Sequence, residues 1–465
     1  MQNLTLLVAI SASLLVLLLR PSRAFIPYLA TLLWYPTYLV IQVGTIDISA
    51  SRIVVSVLLL KCLLNLSVRK KFRWCALDTA VALSMVVYVG ITLLTHQFMR
   101  ALENRSGFLM DTFLAYLAAR FCLTDWESLI TVTKWLAVIL IPLALMGVLE
   151  ATGIWRPYGH LRQYCPWRPD ARLQPGRFGL ERAAGPFGHA VLFGACFTTF
   201  LPLVYALRHQ QGSWRTMAYF SSGMLIIGCS STVSAGSVSM LIVVLFALVM
   251  ERFKRWVKPL AVSAIVSVVL IGIISNRPFY HVLVTRLNPL GGSGWHRARL
   301  IDAAIEHLRE WFWAGYGPND PGWGSSLGMG WTDVTNQYLL MGVKYGVLGI
   351  IALCLVLVIV FHRLIRLHNE SGNPIIKSWV WAFGSSAFSI AVVWNSIAFF
   401  EQMEVLFYCF LGMTGSLLSF GRVLGYRPLK VTRLGNQAPV HNTWPVIEPN
   451  AERHTITGKR IKARS

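Results

Sequence analysis

The sequence predicts an all-α, polytopic integral membrane protein with about 12–13 transmembrane helices. Hydrophobic residues make up 55% of the 465 residues and charged residues only 13%, whereas charged residues form about a quarter of an average soluble domain. The apolar residues lie in long runs, and Lys and Arg are grouped in the short segments between those runs. These features indicate that the lipid bilayer surrounds most of the chain.

The apolar runs divide the chain into about thirteen candidate spans, because a helix needs about 20 apolar residues to cross the hydrocarbon core. The eighth and ninth runs are short, and the polar segment 230–237 between them suggests a hairpin whose tip does not cross completely. The predicted spans cover residues 4–19, 25–43, 49–66, 76–95, 107–122, 129–149, 189–207, 217–230, 235–250, 257–275, 335–361, 378–400 and 405–421.

Basic residues set the predicted orientation, because short loops rich in Lys and Arg remain in the cytoplasm. Five basic clusters lie in alternate connections, at residues 20–23, 69–73, 208–215, 252–258 and 363–377. The tail, residues 425–465, is also basic and has too few apolar residues to fold alone. We therefore predict a membrane domain, residues 1–424, with its N-terminus outside, followed by a disordered cytoplasmic tail.

The formal net charge of +22 does not indicate nucleic-acid binding, because the basic residues lie between apolar runs and not on one soluble face. It indicates membrane topology together with contact with an anionic partner. The eight cysteines are scattered without a CxxC pair or metal-ligand spacing, and the HExxH, GxSxG and EF-hand patterns are absent. We therefore predict no cofactor and no bound metal ion.

Two predicted external loops are much longer than the other connections: loop 1, residues 150–188, and loop 2, residues 276–334. Both are rich in arginine, whose planar fork matches phosphate and carboxylate oxygens in pairs. An anionic ligand is therefore predicted there; the alternative is that these side chains are solvated or meet lipid head groups. The arginines are Arg156, Arg162, Arg168, Arg172, Arg177 and Arg182 in loop 1, and Arg277, Arg286, Arg297, Arg299 and Arg309 in loop 2.

Loop 2 contains a predicted amphipathic helix over residues 297–313, because its apolar and charged side chains recur at helical spacing. Such a helix fits the outer membrane surface. The glycine-rich segment 315–330 follows it. Because this segment lacks the Gly-Lys-Ser/Thr ending of a phosphate-binding loop, we interpret it as a mobile loop.

Side chains that can accept or donate a proton occur throughout the predicted external part of the chain, and their spacing does not choose between them. A single His or Asp at such a position is more often solvated or hydrogen-bonded than catalytic. The candidates are His160, Asp170, Glu181, His189, His281, His296, Asp302, Glu306, His307, Asp320 and Asp333, with Glu150, Glu401 and Glu404 at the ends of spans.

Loop 2 and the span after it carry several short motifs: Trp295-His-Arg-Ala-Arg299, Gly315-Tyr-Gly317, Asp333-Val-Thr-Asn-Gln-Tyr338 and Lys344-Tyr-Gly346. Loop 1 carries Arg177-Phe-Gly and then Arg182-Ala-Ala-Gly-Pro-Phe-Gly-His189. Over roughly residues 45–420 this pattern resembles the O-antigen ligase and polysaccharide polymerase superfamily, most strongly across residues 295–349.

The resemblance implies a metal-independent, inverting glycosyltransferase of the GT-C-like membrane architecture, in the plasma membrane of a bacterium. Such enzymes use a glycan on polyprenyl diphosphate as donor and work at the outer face of the membrane. The family motifs then assign diphosphate binding to Arg177, Arg182, His189, Arg297 and Arg299. They assign catalysis to Arg297, Arg299 and Asn336, whose positions suit stabilisation of the charged leaving group.

Two positions depart from the family pattern. Ligases of the family carry a His-Asn pair where this chain has Thr335-Asn336, and many members carry Ser-Arg-Gly where it has Ser234-Ala-Gly236. The missing histidine favours polymerisation of lipid-linked units over transfer to a lipid core. Asp333 is the carboxylate closest in sequence that could act as the catalytic base in its place, and capping of the next helix is its alternative role.

Three other functions remain open from the sequence. An O-antigen ligase would transfer the glycan to a lipid core. A lipid-linked oligosaccharide flippase would have similar spans, although the chain shows no internal repeat of the transporter kind. A non-catalytic assembly protein of an export complex is the third. The predicted partners are a polyprenyl-diphosphate-linked glycan and membrane lipid, together with a chain-length regulator and an export complex.

Overall fold

The structure, a computed structural model, describes residues 1–165, 176–276, 278, 280–282 and 294–425. Apart from Gly425, the predicted tail lies outside the described residues, and so do Arg168, Arg172, Arg277 and Arg286. The described part of the chain is almost entirely helical, with one short β-hairpin.

The helices follow the apolar runs of the sequence, and the described residues up to Gly425 belong to one compact unit. The elements are α1 Gln2–Leu18, α2 Pro21–Trp34, β1 Val40–Val43, β2 Ile46–Ser49, α3 Ala50–Leu64, α4 Leu66–Lys71, α5 Ala76–Thr95, α6 Phe98–Leu109, α7 Ala115–Cys122, α8 Trp126–Ala151, α9 Ala190–Ala206, α10 Ser213–Ser231, α11 Ala235–Val249, α12 Val257–Ile274, α13 Gly294–Glu306, α14 Leu308–Trp311, α15 Gln337–Glu370, α16 Pro374–Val393 and α17 Glu401–Gly425.

Seven of the described helices are long and apolar enough to cross a membrane, which confirms a helical membrane protein. Two further apolar helices, α1 and α11, are shorter. The remaining predicted spans coincide with the shorter or more polar helices α2, α3, α6–α7 and α10. The total of 12–13 spans therefore stays a prediction.

Several predicted span boundaries differ from the structure, and the eleventh span, predicted to end at residue 361, continues to Glu370. Residues 40–49 turn back as the antiparallel hairpin β1–β2 instead of continuing a helix, because the β-branched Val40, Ile41, Val43, Ile46 and Ile48 favour extended backbone. The fifth span begins earlier, at Phe98, and a π-helical turn, Met110–Leu114, joins α6 to α7. The twelfth span ends at Val393, and a non-helical segment, residues 394–400, connects it to α17.

Contacts between helix termini define two ends of the bundle. At the basic end, Arg208 donates to Glu251 and to Ser378, and Lys254 hydrogen-bonds His368. Lys61 donates to carbonyls at the C-terminus of α1, just before Arg20. The predicted basic clusters therefore meet at one end, as the alternation of loops requires. We call the opposite end, where α8 ends and α15 begins, the loop end.

Two pairs of oppositely charged side chains lie inside the bundle. Arg120 on α7 donates to both carboxylate oxygens of Asp78 on α5, at 2.7 and 2.9 Å, and both residues are at most 2% exposed. Arg52 on α3 donates to Asp111 on the π-helical turn. Such pairing is the expected arrangement, because an isolated charge in hydrocarbon is costly.

Candidate functional site

Loop 1 is fixed to the loop end of the bundle by hydrogen bonds to Glu150, near the end of α8. Its carboxylate accepts from Arg162 Nη2 at 2.6 Å and from the backbone N–H of Gly185 at 2.8 Å. Arg156 pairs with Glu181. Two of the predicted ligand-binding arginines are therefore occupied by carboxylates of the protein, and they hold the loop in place.

Arg177 lies at the start of a tight hairpin turn in loop 1. Its N–H and C=O both bond to Leu180, and the two residues between them, Phe178 and Gly179, have φ of 55° and 74°. Positive φ at both central positions is the geometry of a type I′ turn, which the glycine favours. Arg177 Nη1 is buried and has no hydrogen-bond partner among the described residues, so this guanidinium has an unused donor.

His189 follows loop 1 and caps helix α9. Its Nδ1 accepts the backbone N–H of Val191 at 3.0 Å, which leaves Nε2 to carry the ring proton when the histidine is neutral. Gly188, directly before it, lies against the carboxylate of Glu401, so closely that a Cβ there would collide with Glu401 Oε2. Arg182 lies in the same loop, seven residues before His189. The end of loop 1 is therefore packed on the start of α17.

Arg297 on α13 lies beside Asp333, which precedes α15. Burial lowers the pKa of the Arg297 guanidinium, and the nearby charge of Asp333 opposes this change. Arg297 Nε is buried without a hydrogen-bond partner among the described residues. The neighbouring His296 ring nitrogen lies 3.4 Å from the Asp333 carbonyl oxygen. Predicted functional residues from both sides of the glycine-rich segment therefore lie close together here.

Arg299 does not share this position. It is exposed, and its guanidinium lies 4.8 Å from the centre of the exposed Trp295 ring. Two residues on a helix are about 200° apart around the axis, so Arg297 and Arg299 leave α13 in different directions. The family motif places them together in sequence, but the helix separates them in space.

Asn336 is the N-cap of α15. Its Oδ1 accepts the N–H of Leu339 at 3.0 Å, and its Nδ2 donates to the carbonyl oxygen of Asn395 at 3.2 Å. The capping role that sequence reasoning offered as the alternative for Asp333 therefore belongs to Asn336, three residues later. Sequence could not decide this, because Asp and Asn cap about equally well.

The Gly315-Tyr-Gly317 and Lys344-Tyr-Gly346 motifs form one structural unit. Helix α15 is interrupted at Gly346, which has φ of 67°. The freed carbonyl oxygens of Val343 and Lys344 accept the N–H groups of Tyr316 and Gly317, at 2.6 and 3.1 Å. The N–H of Val347 donates to Phe312 O at 2.7 Å. This close backbone contact explains Gly315 and Gly346, since a Cβ at Gly315 would collide with the backbone of Lys344 and a Cβ at Gly346 with that of Trp313.

The glycine-rich segment of loop 2 is packed as a series of turns. Asp320 accepts the N–H groups of Gly322 and Thr332, at 2.9 and 3.1 Å, and closes the segment on itself. Trp323 and Leu327 are buried against α13 and α15. The predicted amphipathic helix is present as α13 and α14, and its apolar face supplies the other side of this cluster.

The connection between α16 and α17, residues 394–400, joins the two loops. The N–H of Phe399 donates to Gln337 Oε1 at 2.7 Å at the start of α15, and Glu401 contacts Gly188 at the end of loop 1. Sequence reasoning missed this segment, because its apolar residues continue the run of α16. The hydrogen-bonding residues Asn395 and Ser396 were the available signal.

No group of three or more His, Cys, Asp or Glu side chains able to hold a metal ion occurs among the described residues. The described residues do offer guanidinium donors: Arg177 in loop 1 and Arg297 in the first turn of α13 each have a buried nitrogen without a hydrogen-bond partner among the described residues. Such groups bind and stabilise oxyanions. Comparison of the chain with models of protein families and with curated proteins finds no match.

Proposed function

We propose that the protein is a metal-independent, inverting glycosyltransferase that polymerises oligosaccharide units carried on polyprenyl diphosphate, at the outer face of the bacterial plasma membrane. The observation that carries the proposal is Arg297: a buried guanidinium nitrogen without a protein partner, next to Asp333, three residues from the helix cap Asn336. The family resemblance of the same residues supplies the reaction class. The GT-C-like architecture belongs to the proposal.

The proposed reaction joins two lipid-linked substrates. A hydroxyl oxygen of the acceptor glycan attacks the anomeric carbon of the donor glycan, and the bond from that carbon to the diphosphate oxygen breaks. The diphosphate leaves with the electron pair and carries more negative charge than before. Arg297 and Arg177 would hold this charge with the nitrogens that the protein leaves unused, because preorganised donors stabilise charge that develops in the transition state.

Asp333 has two roles open to it. As the base predicted from sequence, it would take the proton of the acceptor hydroxyl. As the neighbour of Arg297, it would orient the guanidinium. The second role fits the electrostatic influence of Asp333 on Arg297, and the first stays a prediction that the Asp333→Asn variant tests.

The arginines give the direct test of the proposed function. We expect Arg297→Ala and Arg177→Ala to reduce polymer formation at least tenfold at unchanged protein level, since losing a hydrogen bond to a charged group costs roughly 1.5–3 kcal/mol. Lysine variants should recover part of the activity, because lysine keeps the charge but not the fork. Arg309→Ala, at an exposed position of loop 2, is the control and should behave as wild type.

Glycan profiling of a deletion strain separates the proposed function from its rivals. Accumulated single repeat units on polyprenyl diphosphate, outside the cell, support polymerisation. Accumulated long lipid-linked chains would instead indicate a ligase, and single units retained on the cytoplasmic side would indicate a flippase. Four single lysine variants test paired recognition of the diphosphate by arginine: Arg177→Lys, Arg182→Lys, Arg297→Lys and Arg299→Lys. If each of them made normal polymer, this recognition would be contradicted.

A further inference from the structure

A small cavity lies inside the loop end of the bundle, beside Gln337, the first residue of α15. Aromatic side chains form most of its wall, and the polar groups that line it belong to Gln337, Glu404, Tyr88 and Tyr408. Its volume is about 10 Å³, which is about the space that one buried water molecule needs. Gln337 directly follows the cap residue Asn336, so the first turn of α15 forms part of the cavity wall.

The polar groups that line this cavity have hydrogen-bonding capacity that the described residues do not use. Gln337 uses its Oε1 to accept the N–H of Phe399, which leaves its amide N–H groups for the cavity. The Glu404 carboxylate and the hydroxyls of Tyr88 and Tyr408 have no hydrogen-bond partner among the described residues. A buried water needs two to four polar partners, and these four groups supply them.

Glu404 is set among charges as well as aromatic rings. Lys344 on α15 and Arg105 on α6 place positive charge near it, and Asp111, paired with Arg52, places negative charge near it. Tyr345 is the third phenol in its surroundings, beside Tyr88 and Tyr408. An ionisable residue inside a membrane helix that faces a cavity is typical of a proton pathway.

We infer that Glu404, through one water molecule bound in this cavity, accepts the proton that the acceptor hydroxyl loses during glycosyl transfer. As the new bond forms between the hydroxyl oxygen and the anomeric carbon, the hydroxyl proton passes to the water, and the water passes a proton to the Glu404 carboxylate. The diphosphate leaves with the electrons of the broken bond, so charge and atoms balance. The inference rests on the proposed function. Glu404 would supply the proton acceptor that is missing because Thr335 stands where ligases of the family carry a histidine.

The test uses the full chain, purified and reconstituted in vesicles, with polyprenyl-diphosphate-linked oligosaccharide as substrate. We expect the wild-type rate to fall at acid pH as Glu404 becomes protonated. We call this fall the acid limb of the pH–rate profile. Glu404→Gln should lower the rate at least tenfold and remove the acid limb, because glutamine fills the same space but cannot take a proton. Glu127→Gln, at an exposed position in the first turn of α8, is the control and should keep both the rate and the limb.

Infrared spectroscopy gives a readout that does not depend on turnover. The wild type should show a protonated-carboxyl band that titrates with pH, and the band should be absent from Glu404→Gln. If Glu404→Gln fails to fold, the double variant Tyr88→Phe with Tyr408→Phe takes its place, because it removes two partners of the water and keeps both rings. That variant should lower the rate and shift the acid limb.

Two results would overturn the inference: a Glu404→Gln variant that retains the acid limb and a rate within twofold of wild type, or a folded double tyrosine variant with an unchanged profile. Failure of the proposed function is a different result, namely a wild-type protein that forms no polymer from the lipid-linked units. In that case the infrared titration still reports whether Glu404 binds a proton.

Discussion

Arg297 and Asp333 show how far single residues can be assigned. Sequence motifs selected both, but only the structure shows that Arg297 is half-buried beside Asp333, whereas Arg299 is exposed over Trp295. The arginines of loop 1 also differ from one another: Arg162 donates a hydrogen bond to Glu150, whereas Arg177 Nη1 has no hydrogen-bond partner among the described residues. Such differences depend on long-range packing, which the local sequence of an arginine does not contain.

The Asp333→Asn variant distinguishes a base from an orienting residue. We expect it to lower polymer formation about tenfold, because the variant lacks the negative charge that orients Arg297. We expect it to keep the acid limb of the pH–rate profile, because Asp333 is not the proton acceptor. Rate and pH profile in reconstituted vesicles are the measurement. Complete loss of activity together with loss of the limb would return the role of base to Asp333 and would contradict the role inferred for Glu404.

Asn336 is expected to act mainly through the start of α15. Asn336→Asp and Asn336→Ser should keep most of the thermal stability, because both residues cap helices about as well as asparagine, whereas Asn336→Ala should destabilise by about 1 kcal/mol. Melting curves in detergent measure this. If the capping variants melt like wild type but lose polymer formation, the amide contacts substrate in addition to capping the helix.

Among the elements, helices were predictable wherever an apolar run ended in a polar or basic segment. The prediction failed after Val393, because Trp394, Ile397, Phe399 and Phe400 continue the apolar composition through a non-helical connection. It also failed at residues 40–49, where a hairpin follows α2 without a charged residue before Asp47. Hydropathy reports the composition of a segment, and at these two places an apolar composition accompanies a backbone that is not helical.

The interruption of α15 gives a prediction about backbone. Gly346→Ala should lower stability by at least about 1–2 kcal/mol, the usual cost of left-handed backbone in a residue with a Cβ, and should also displace Trp313. The control is Gly384→Ala in the middle of α16, where nothing lies within 4 Å of an added Cβ. It should be neutral or stabilising, because alanine favours a helix more than glycine does. Equal melting temperatures for both variants would contradict this account.

The whole molecule has two different ends, and this gives a topological prediction. Basic clusters gather at one end, and loops 1 and 2 extend from the other. Tags placed after Arg73 and in the C-terminal tail should be cytoplasmic, while tags near Arg172 and Gly324 should be external, since basic loops are retained inside. Labelling of intact cells with an impermeant reagent measures this. Finding the tags near residues 172 and 324 on opposite sides of the membrane would contradict the proposed orientation.

The break in α15 also constrains how the protein is made. Three backbone groups of the broken helix, at Val343, Lys344 and Val347, bond to residues 312–317, and backbone groups without partners are costly in lipid. The segment that satisfies them leaves the ribosome before α15 does, and under the proposed orientation it must already have been exported. Helix α15 therefore reaches its final form only after the exported residues 312–317 fold back onto it. This docking is a late step that completes both the membrane insertion of α15 and the assembly of the site.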